Sequence, residues 1–164
     1  MKSKIAYLVF LILIPLTFIT AQEKEQETSF PSPVGYVNDF EGVFTTEQIE
    51  ELEKLITDFE NETGNEIAVI TIDNIGNYTD FAQYSLDLSS KWGIGKADKN
   101  NGLSIVFSKT LRKIRINTGI GTQEVISDEF CLKLINDYFV PNFIEGKYFE
   151  GTKTALLILF EAWK

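Results

Sequence analysis

The feature that most constrains the fold is a continuous apolar run, Glu66 to Ile72, with the sequence EIAVITI. It is rich in β-branched residues, so it predicts a strand that is buried on both faces. A helical segment and a second apolar strand, Leu103 to Phe107, follow it. This order predicts a right-handed parallel crossover. The next strand, Lys113 to Asn117, is close enough to form an antiparallel hairpin with the second one.

The helices are predicted from their end signals. Thr45 and Gln48 fit a capping box before the first helix, and Gly64 suits its C-terminal end. Thr79 is expected to cap a second helix, which ends at Gly93.

Two more helices are predicted towards the C-terminus. One begins after Ser127 and stops before Pro141, and the other runs from about Tyr148 to Trp163. The segment Phe30 to Gly42 contains two prolines and two glycines, so it predicts an extended arm that ends in a turn. The chain is therefore expected to have an α/β fold, an α/β/α sandwich with a small mixed β-sheet flanked by helices on both faces.

The N-terminus has the composition of an export signal. Two lysines precede an apolar run from Ile5 to Thr20, and Ala21 is a small residue suited to cleavage. Residues 1–21 are thus interpreted as a signal peptide of a periplasmic or secreted protein. The apolar run is short for a membrane span of about 20 residues, so an uncleaved N-terminal anchor is the alternative.

The remainder divides into two predicted parts, a disordered linker over residues 22–29 and one domain over residues 30–164. After cleavage no apolar stretch is long enough to span a bilayer.

Composition excludes several kinds of chemistry. The chain has no histidine, which excludes Ser-His-Asp triads and His-ligated zinc. Its lone cysteine, Cys131, is expected to be buried. The formal net charge of −9 argues against nucleic-acid binding and is compatible with hard cations, which prefer carboxylate and carbonyl oxygens.

Polar residues cluster where the predicted topology joins two loops. Asp98, Asn100 and Asn101 enter the second strand, and the segment Thr118 to Glu124 leaves the third, so both should lie at one sheet edge, near Asp128. The first three residues offer oxygen ligands for Ca²⁺ or another divalent cation, although Asp and Asn also simply form turns.

Three other features leave alternatives open. Asp39 joins that edge only if the N-terminal arm crosses the molecule. The glycines of TGIGTQE suit an anion-binding nest or a relaxed turn. The basic cluster of Arg112, Lys113 and Arg115 suits a solvated face or a phosphate contact.

Four ordered blocks carry a family resemblance. They are YVNDFEGVFT, which contains Asp39; KNNGLSIVFS; RKIRINTGIGTQEVISDEF, which contains Arg115, Glu124 and Asp128; and PNFIEGKYFEGTKTAL. On these blocks residues 33–163 resemble the TPM domain family.

The resemblance implies an α/β/α sandwich and a limited range of functions. Some members are acid phosphatases, some bind calcium, and others are non-catalytic modules in membrane-protein maintenance or assembly. We therefore expect a calcium-binding module of the cell envelope, at most a weak phosphatase, with an envelope or membrane protein as its partner. The expected metal ligands are Asp98, Asn100, Asn101 and Asp39, with Arg115, Glu124 and Asp128 as further polar candidates. Many members have Asp where this chain has Asn100, which reduces the charge available to a metal.

Overall fold

Within residues 30–164, which the computed structural model describes, four strands form one mixed sheet in the order β1-β2-β3-β4. The strands are β1 (Val37–Asp39), β2 (Glu66–Thr71), β3 (Gly102–Ser108) and β4 (Lys113–Thr118). The first three are parallel, and β4 is antiparallel to β3, so the predicted parallel pairing and the hairpin are confirmed. The predicted signal peptide and linker, residues 1–29, lie outside the described residues.

The helices flank this sheet. They are α1 (Thr46–Thr63), α2 (Phe81–Trp92), α3 (Ile120–Gln123), α4 (Asp128–Leu134), α5 (Val140–Ile144) and α6 (Tyr148–Ala162). Within residues 30–164, no helix has both the length and the apolar character that a bilayer crossing requires.

Alternation along the buried strands places apolar side chains on both faces of the sheet. Ile67 and Val69 of β2 pack with α1, α4 and α6, whereas Ala68 and Ile70 pack with α2. The α/β/α sandwich is therefore confirmed. Because residues 30–164 contain the sheet and the apolar side chains that pack on each of its faces, we expect this segment to fold on its own.

The predicted signals at both ends of α1 are confirmed. The Thr45 side chain accepts a hydrogen bond from the Gln48 N–H at 3.3 Å, and the Gln48 side chain accepts one from the Thr45 N–H at 2.9 Å. Gly64 ends the helix at φ 76°, a left-handed conformation that favours glycine.

Two helix boundaries differ from the prediction. Asp80, not Thr79, caps α2 by accepting a hydrogen bond from the backbone N–H of Ala82 at 2.9 Å. The helix that starts at Asp128 does not stop before Pro141. It passes through a π-helical turn, Ile135–Phe139, into α5. Pro141 lies in the first turn of α5, a position where a proline, which has no backbone N–H to donate, is tolerated.

The predicted N-terminal arm contains a strand that the sequence pattern did not indicate. In β1, Val37 is paired with Val69 and Asp39 with Thr71 of β2. The strand has only three residues, and the side chain of its buried Asn38 is hydrogen-bonded within the arm rather than packed in an apolar cluster. A triplet of one apolar and two polar residues gives no alternating apolar signal.

The glycine segment that follows β4 is also more ordered than the predicted turn. Ile120–Gln123 form the short helix α3, and the buried Thr122 hydroxyl donates a hydrogen bond to the Gly102 carbonyl at 2.9 Å. This bond holds the segment against the start of β3.

Candidate functional site

The sheet has two polar ends, which we name from its parallel strands. The amino end is where β2 and β3 begin, and the carboxyl end is where β1, β2 and β3 finish. Glu66 is paired with Gly102 at the amino end, and Thr71 is paired with Phe107 at the carboxyl end. The two ends are about 16 Å apart along a strand, at about 3.3 Å per residue.

Asn101 has a structural role at the amino end. Its side-chain oxygen accepts a hydrogen bond from the Lys96 N–H at 3.0 Å. Its side-chain nitrogen donates to the Gly64 carbonyl at 2.8 Å and to the Asn65 side chain at 3.0 Å. This buried amide therefore ties the entrance of β3 to the entrance of β2.

Asp98 and Asn100 are exposed on the loop before Asn101. The Asn100 carbonyl accepts a hydrogen bond from the Gly121 N–H at 3.1 Å, so the two predicted loops do share one edge. A Cβ added at Gly121 would lie 2.1 Å from the Lys99 carbonyl oxygen. The glycine is needed because the two backbones touch at this point.

The other acidic candidates are Glu124, which follows α3, and Asp128, which begins α4 and lines a groove beside β4 with Lys113 and Arg115; both are exposed. Residues 30–164 contain no group of three or more His, Cys, Asp or Glu side chains arranged to hold a metal ion. Calcium binding by Asp98 and Asn100 therefore stays a prediction.

Asp39 lies at the carboxyl end, so the arm does not bring it to Asp98. Its carboxylate accepts a hydrogen bond from the Thr71 hydroxyl at 2.5 Å and two more from the backbone N–H groups of Val43 and Phe44, at 3.1 and 2.8 Å. Three donors already surround this carboxylate, which fixes the turn between β1 and α1.

The carboxyl end also contains a cavity of about 650 Å³. Its lining combines three cations with apolar and aromatic side chains, and no carboxylate is part of it. The lining residues are Gly42, Val43, Ser108, Lys109, Arg112, Lys113, Ile114, Val140, Phe143, Ile144, Gly146 and Tyr148. We call this cavity the basic pocket. A lining with three cations and no carboxylate is unusual for a chain that has 24 acidic and only 15 basic residues.

The β3–β4 hairpin turn supplies the cations of the basic pocket, and Glu41 holds this turn in place. The Glu41 carboxylate accepts hydrogen bonds from the backbone N–H groups of Lys109 and Thr110, at 2.8 and 2.7 Å. The Glu41 carboxylate is thus engaged with the backbone of the turn. Within the same turn, the Ser108 hydroxyl accepts a hydrogen bond from the Leu111 N–H at 3.0 Å.

Aromatic rings form another wall of the basic pocket. The ring centroid of Phe143 lies 4.8 Å from that of Phe107 and 4.8 Å from that of Tyr148. The Lys109 ammonium lies 5.9 Å from the centroid of the Tyr148 ring, within the range of a cation–π contact. An apolar group and an anion can therefore be accommodated side by side.

Sequence reasoning recognised Arg112 and Lys113 as basic, but it did not combine them with Lys109, Phe143 and Tyr148. The signal that was available is positional. In open α/β sheets, ligands bind beyond the carboxyl ends of the parallel strands, and the hairpin turn leaves β3 at that end.

Arg115 does not line the basic pocket. Its Nε donates a hydrogen bond to the Asn117 side-chain oxygen at 2.8 Å. Arg115, Asp128 and Cys131 all line a second groove, about 530 Å³ in volume, beside β4. Burial raises the pKa of the Cys131 thiol to about 11, so this cysteine is a buried core residue, as expected.

Comparisons with known proteins agree with this architecture. The sequence model of the TPM domain matches residues 37–162. The solution structure of the N-terminal domain of a protein from P. gingivalis is 28% identical, with a TM-score of 0.70, over 77% of this chain and 80% of that one.

Two further solution structures share the fold at lower identity. BA42 from the psychrophilic bacterium Bizionia argentinensis is 21% identical, with a TM-score of 0.66, over 76% of this chain and 88% of its own. The N-terminal domain of cg2496 from Corynebacterium glutamicum is 13% identical, with a TM-score of 0.62, over 84% of this chain and 85% of that one. Among curated proteins, none matches the chain. The family match spans well over half of the chain, and the solved relatives have the same architecture, so the chain belongs to the TPM domain family.

Proposed function

We propose that this TPM domain is an exported binding module of the cell envelope, whose ligand carries an anionic group beside an apolar one. The observation that supports this most is the lining of the basic pocket, where Lys109, Arg112 and Lys113 meet two aromatic rings and no carboxylate. Its lining includes residues that follow β1 and β3 at their carboxyl ends, which is the usual ligand position in α/β sheets.

The chemistry of the three cations favours phosphate or carboxylate groups. Arg112 offers a planar fork of N–H donors that fits such anions with two parallel hydrogen bonds, and Lys109 and Lys113 add point charges. The aromatic wall suits an apolar or ring-bearing portion of the same ligand. A small phosphate ester with an aromatic group, such as phenyl phosphate, therefore matches both halves of the pocket.

Little or no catalysis is expected from this site. Ser108 and Tyr148 contribute hydroxyl groups to the lining, but no histidine or carboxylate lines the pocket beside them as a general base. The Ser108 hydroxyl also already accepts a hydrogen bond from the Leu111 N–H. The pocket thus has the groups that hold an anion and lacks those that activate a nucleophile.

Binding of phenyl phosphate to residues 22–164 tests the proposal. We expect a dissociation constant in the micromolar to millimolar range, and Arg112→Gln should weaken binding about tenfold by removing a charged contact that only the basic pocket offers. Lys99→Gln removes the same charge from an exposed position at the amino end and should leave it unchanged. Equal weakening by both variants would argue against the pocket.

Phosphate release from phenyl phosphate, measured on the same proteins, tests the acid phosphatase alternative. Phosphatase activity that co-purifies with the domain and disappears in Arg112→Gln, whose side chain lines the basic pocket and not the groove beside β4, would assign turnover to the basic pocket. Release that survives this substitution would come from elsewhere.

Calcium binding is the second candidate function, because Asp98 and Asn100 stand exposed on a loop whose backbone is held against Gly119 and Gly121. Titration with Ca²⁺ should raise the melting temperature through ligand linkage, and Asp98→Asn should abolish the rise. An unchanged melting temperature at saturating Ca²⁺ would remove this candidate.

The envelope location rests on the N-terminal sequence, residues 1–21. Fractionation of cells that express the whole chain should recover a shortened protein outside the cytoplasm. Recovery of the full-length chain in membranes would instead support the N-terminal anchor. An envelope or membrane protein partner that co-purifies with the domain would favour the interaction-module alternative.

A further inference from the structure

We infer that the carboxyl end of this domain docks on an anionic lipid bilayer, with the basic pocket facing the phosphate of a lipid headgroup. This inference rests on the proposed function, since it identifies the source of the anion. It adds a second set of residues, the exposed apolar side chains around the mouth of the pocket.

Two of these apolar residues line the pocket itself. Ile144 is 80% exposed and Val140 is 36% exposed, although both are large hydrophobic residues. Leu111, 37% exposed, lies next to Arg112 in the hairpin turn. Apolar side chains beside cations are typical of protein surfaces that insert shallowly into the headgroup region of a membrane.

The charges around the pocket favour an anionic surface. Within residues 30–164, Lys109, Arg112 and Lys113 form no ion pair with a carboxylate. The nearby Lys147 is paired with Glu145 at 2.5 Å. The other carboxylate at the hairpin belongs to Glu41, which is bound to backbone N–H groups.

The net charge makes the docking orientation specific. With a formal charge of −9, the chain as a whole is repelled by an anionic bilayer. Only a surface with unpaired cations can approach closely. The electrostatic attraction of Lys and Arg side chains to anionic lipid is strongest within a Debye length of the lipid surface. The opposite end of the sheet also exposes an apolar residue, Ile120, which is 76% exposed. This residue provides a matched control.

Co-sedimentation of residues 22–164 with phosphatidylglycerol vesicles tests the inference, with phosphatidylcholine vesicles as the uncharged comparison. We expect binding to the anionic vesicles alone. Lys113→Glu changes the charge by two units and should weaken binding about 25-fold, at about fivefold for each unit of charge. Ile144→Ser and Leu111→Ser should each weaken it severalfold by removing an inserting side chain. The controls Lys99→Glu and Ile120→Ser should bind as the unchanged protein does.

The phenyl phosphate assay separates this inference from the proposed function. Leu111→Ser changes an exposed apolar residue that does not line the pocket, so it should lose affinity for vesicles and keep its affinity for phenyl phosphate, which would support membrane docking. Binding of phenyl phosphate without binding of anionic vesicles would overturn the docking inference and leave the proposed function intact. Failure of both assays would overturn both. Equal losses in Ile144→Ser and Ile120→Ser would also overturn the docking inference.

Discussion

The Glu41 carboxylate accepts a hydrogen bond from the backbone N–H of Lys109 at 2.8 Å, across a sequence separation of 68 residues. This contact joins the turn after β1 to the β3–β4 hairpin and sets the position of the cations in the basic pocket. The acidic arm thus stabilises the basic site through the backbone, without lining the pocket.

Glu41→Ala should loosen the hairpin turn. It removes the acceptor of two backbone N–H groups at a partly exposed position, so we expect a loss of about 1 kcal/mol in unfolding free energy. Amide hydrogen exchange at Lys109 and Thr110 should become faster. The control is Glu50→Ala, an exposed position on α1. Unchanged exchange at both amides would contradict the assigned role of Glu41.

Gly121→Ala should destabilise the amino end. The new Cβ would lie 2.1 Å from the Lys99 carbonyl oxygen, so the two loops must separate, at a cost of about 2–3 kcal/mol. Gly42→Ala is the comparison because Gly42 has φ 64° but open space around it, and conformational strain alone costs about 1–2 kcal/mol. A smaller loss for Gly121→Ala than for Gly42→Ala in chemical denaturation would refute the close-packing argument.

Asn117→Ala should disrupt a buried polar network between α2 and the sheet. The Asn117 side-chain nitrogen lies 2.7 Å from the Ser85 hydroxyl and 3.1 Å from the Ser104 hydroxyl. The substitution removes the amide that bonds these two buried hydroxyls, so we expect a loss of about 2–3 kcal/mol in unfolding free energy. Asn61→Ala, at an exposed position of α1, should cost less than about 0.5 kcal/mol. Similar losses for the two variants would show that the network contributes little.

Tyr36 should make stability depend on alkaline pH. Its hydroxyl donates a hydrogen bond to the Glu60 carboxylate, and this bond, with burial and nearby glutamates, raises the pKa of Tyr36 from 10.0 to about 12. Because the folded-state pKa is the higher one, the contribution is complete below pH 10 and is lost as the pH rises from 10 to about 12. Unfolding free energies of Tyr36→Phe should lack this loss. Parallel pH profiles for the two proteins would contradict it.

Local sequence signals predicted most of the fold. The buried strand at Glu66–Thr71 and the capping box at Thr45 depend on neighbouring residues, so periodicity and end signals were sufficient. The strand β1 was missed because it has only three residues, two of them polar, and its pairing with β2 is a tertiary contact. The continuation of the helix through Pro141 was missed because a π-helical turn before it has no clear sequence signal.

The candidate site was harder to predict, because it depends on distant contacts. The expected metal set combined Asp39 with Asp98, and the sheet register places the two at opposite ends. The basic pocket brings the hairpin turn together with residues from the α5–α6 region, such as Phe143 and Tyr148. Only the packing of α5 and α6 against the sheet makes these segments neighbours.

The most direct test of the basic pocket is a map of backbone amide shifts during titration of residues 22–164 with phenyl phosphate. We predict that the shifts concentrate at residues 108–113 and 143–148, with few changes at residues 96–102 at the opposite end of the sheet. Shifts concentrated at residues 96–102, or none at millimolar ligand, would contradict the proposal that the carboxyl end is the binding site.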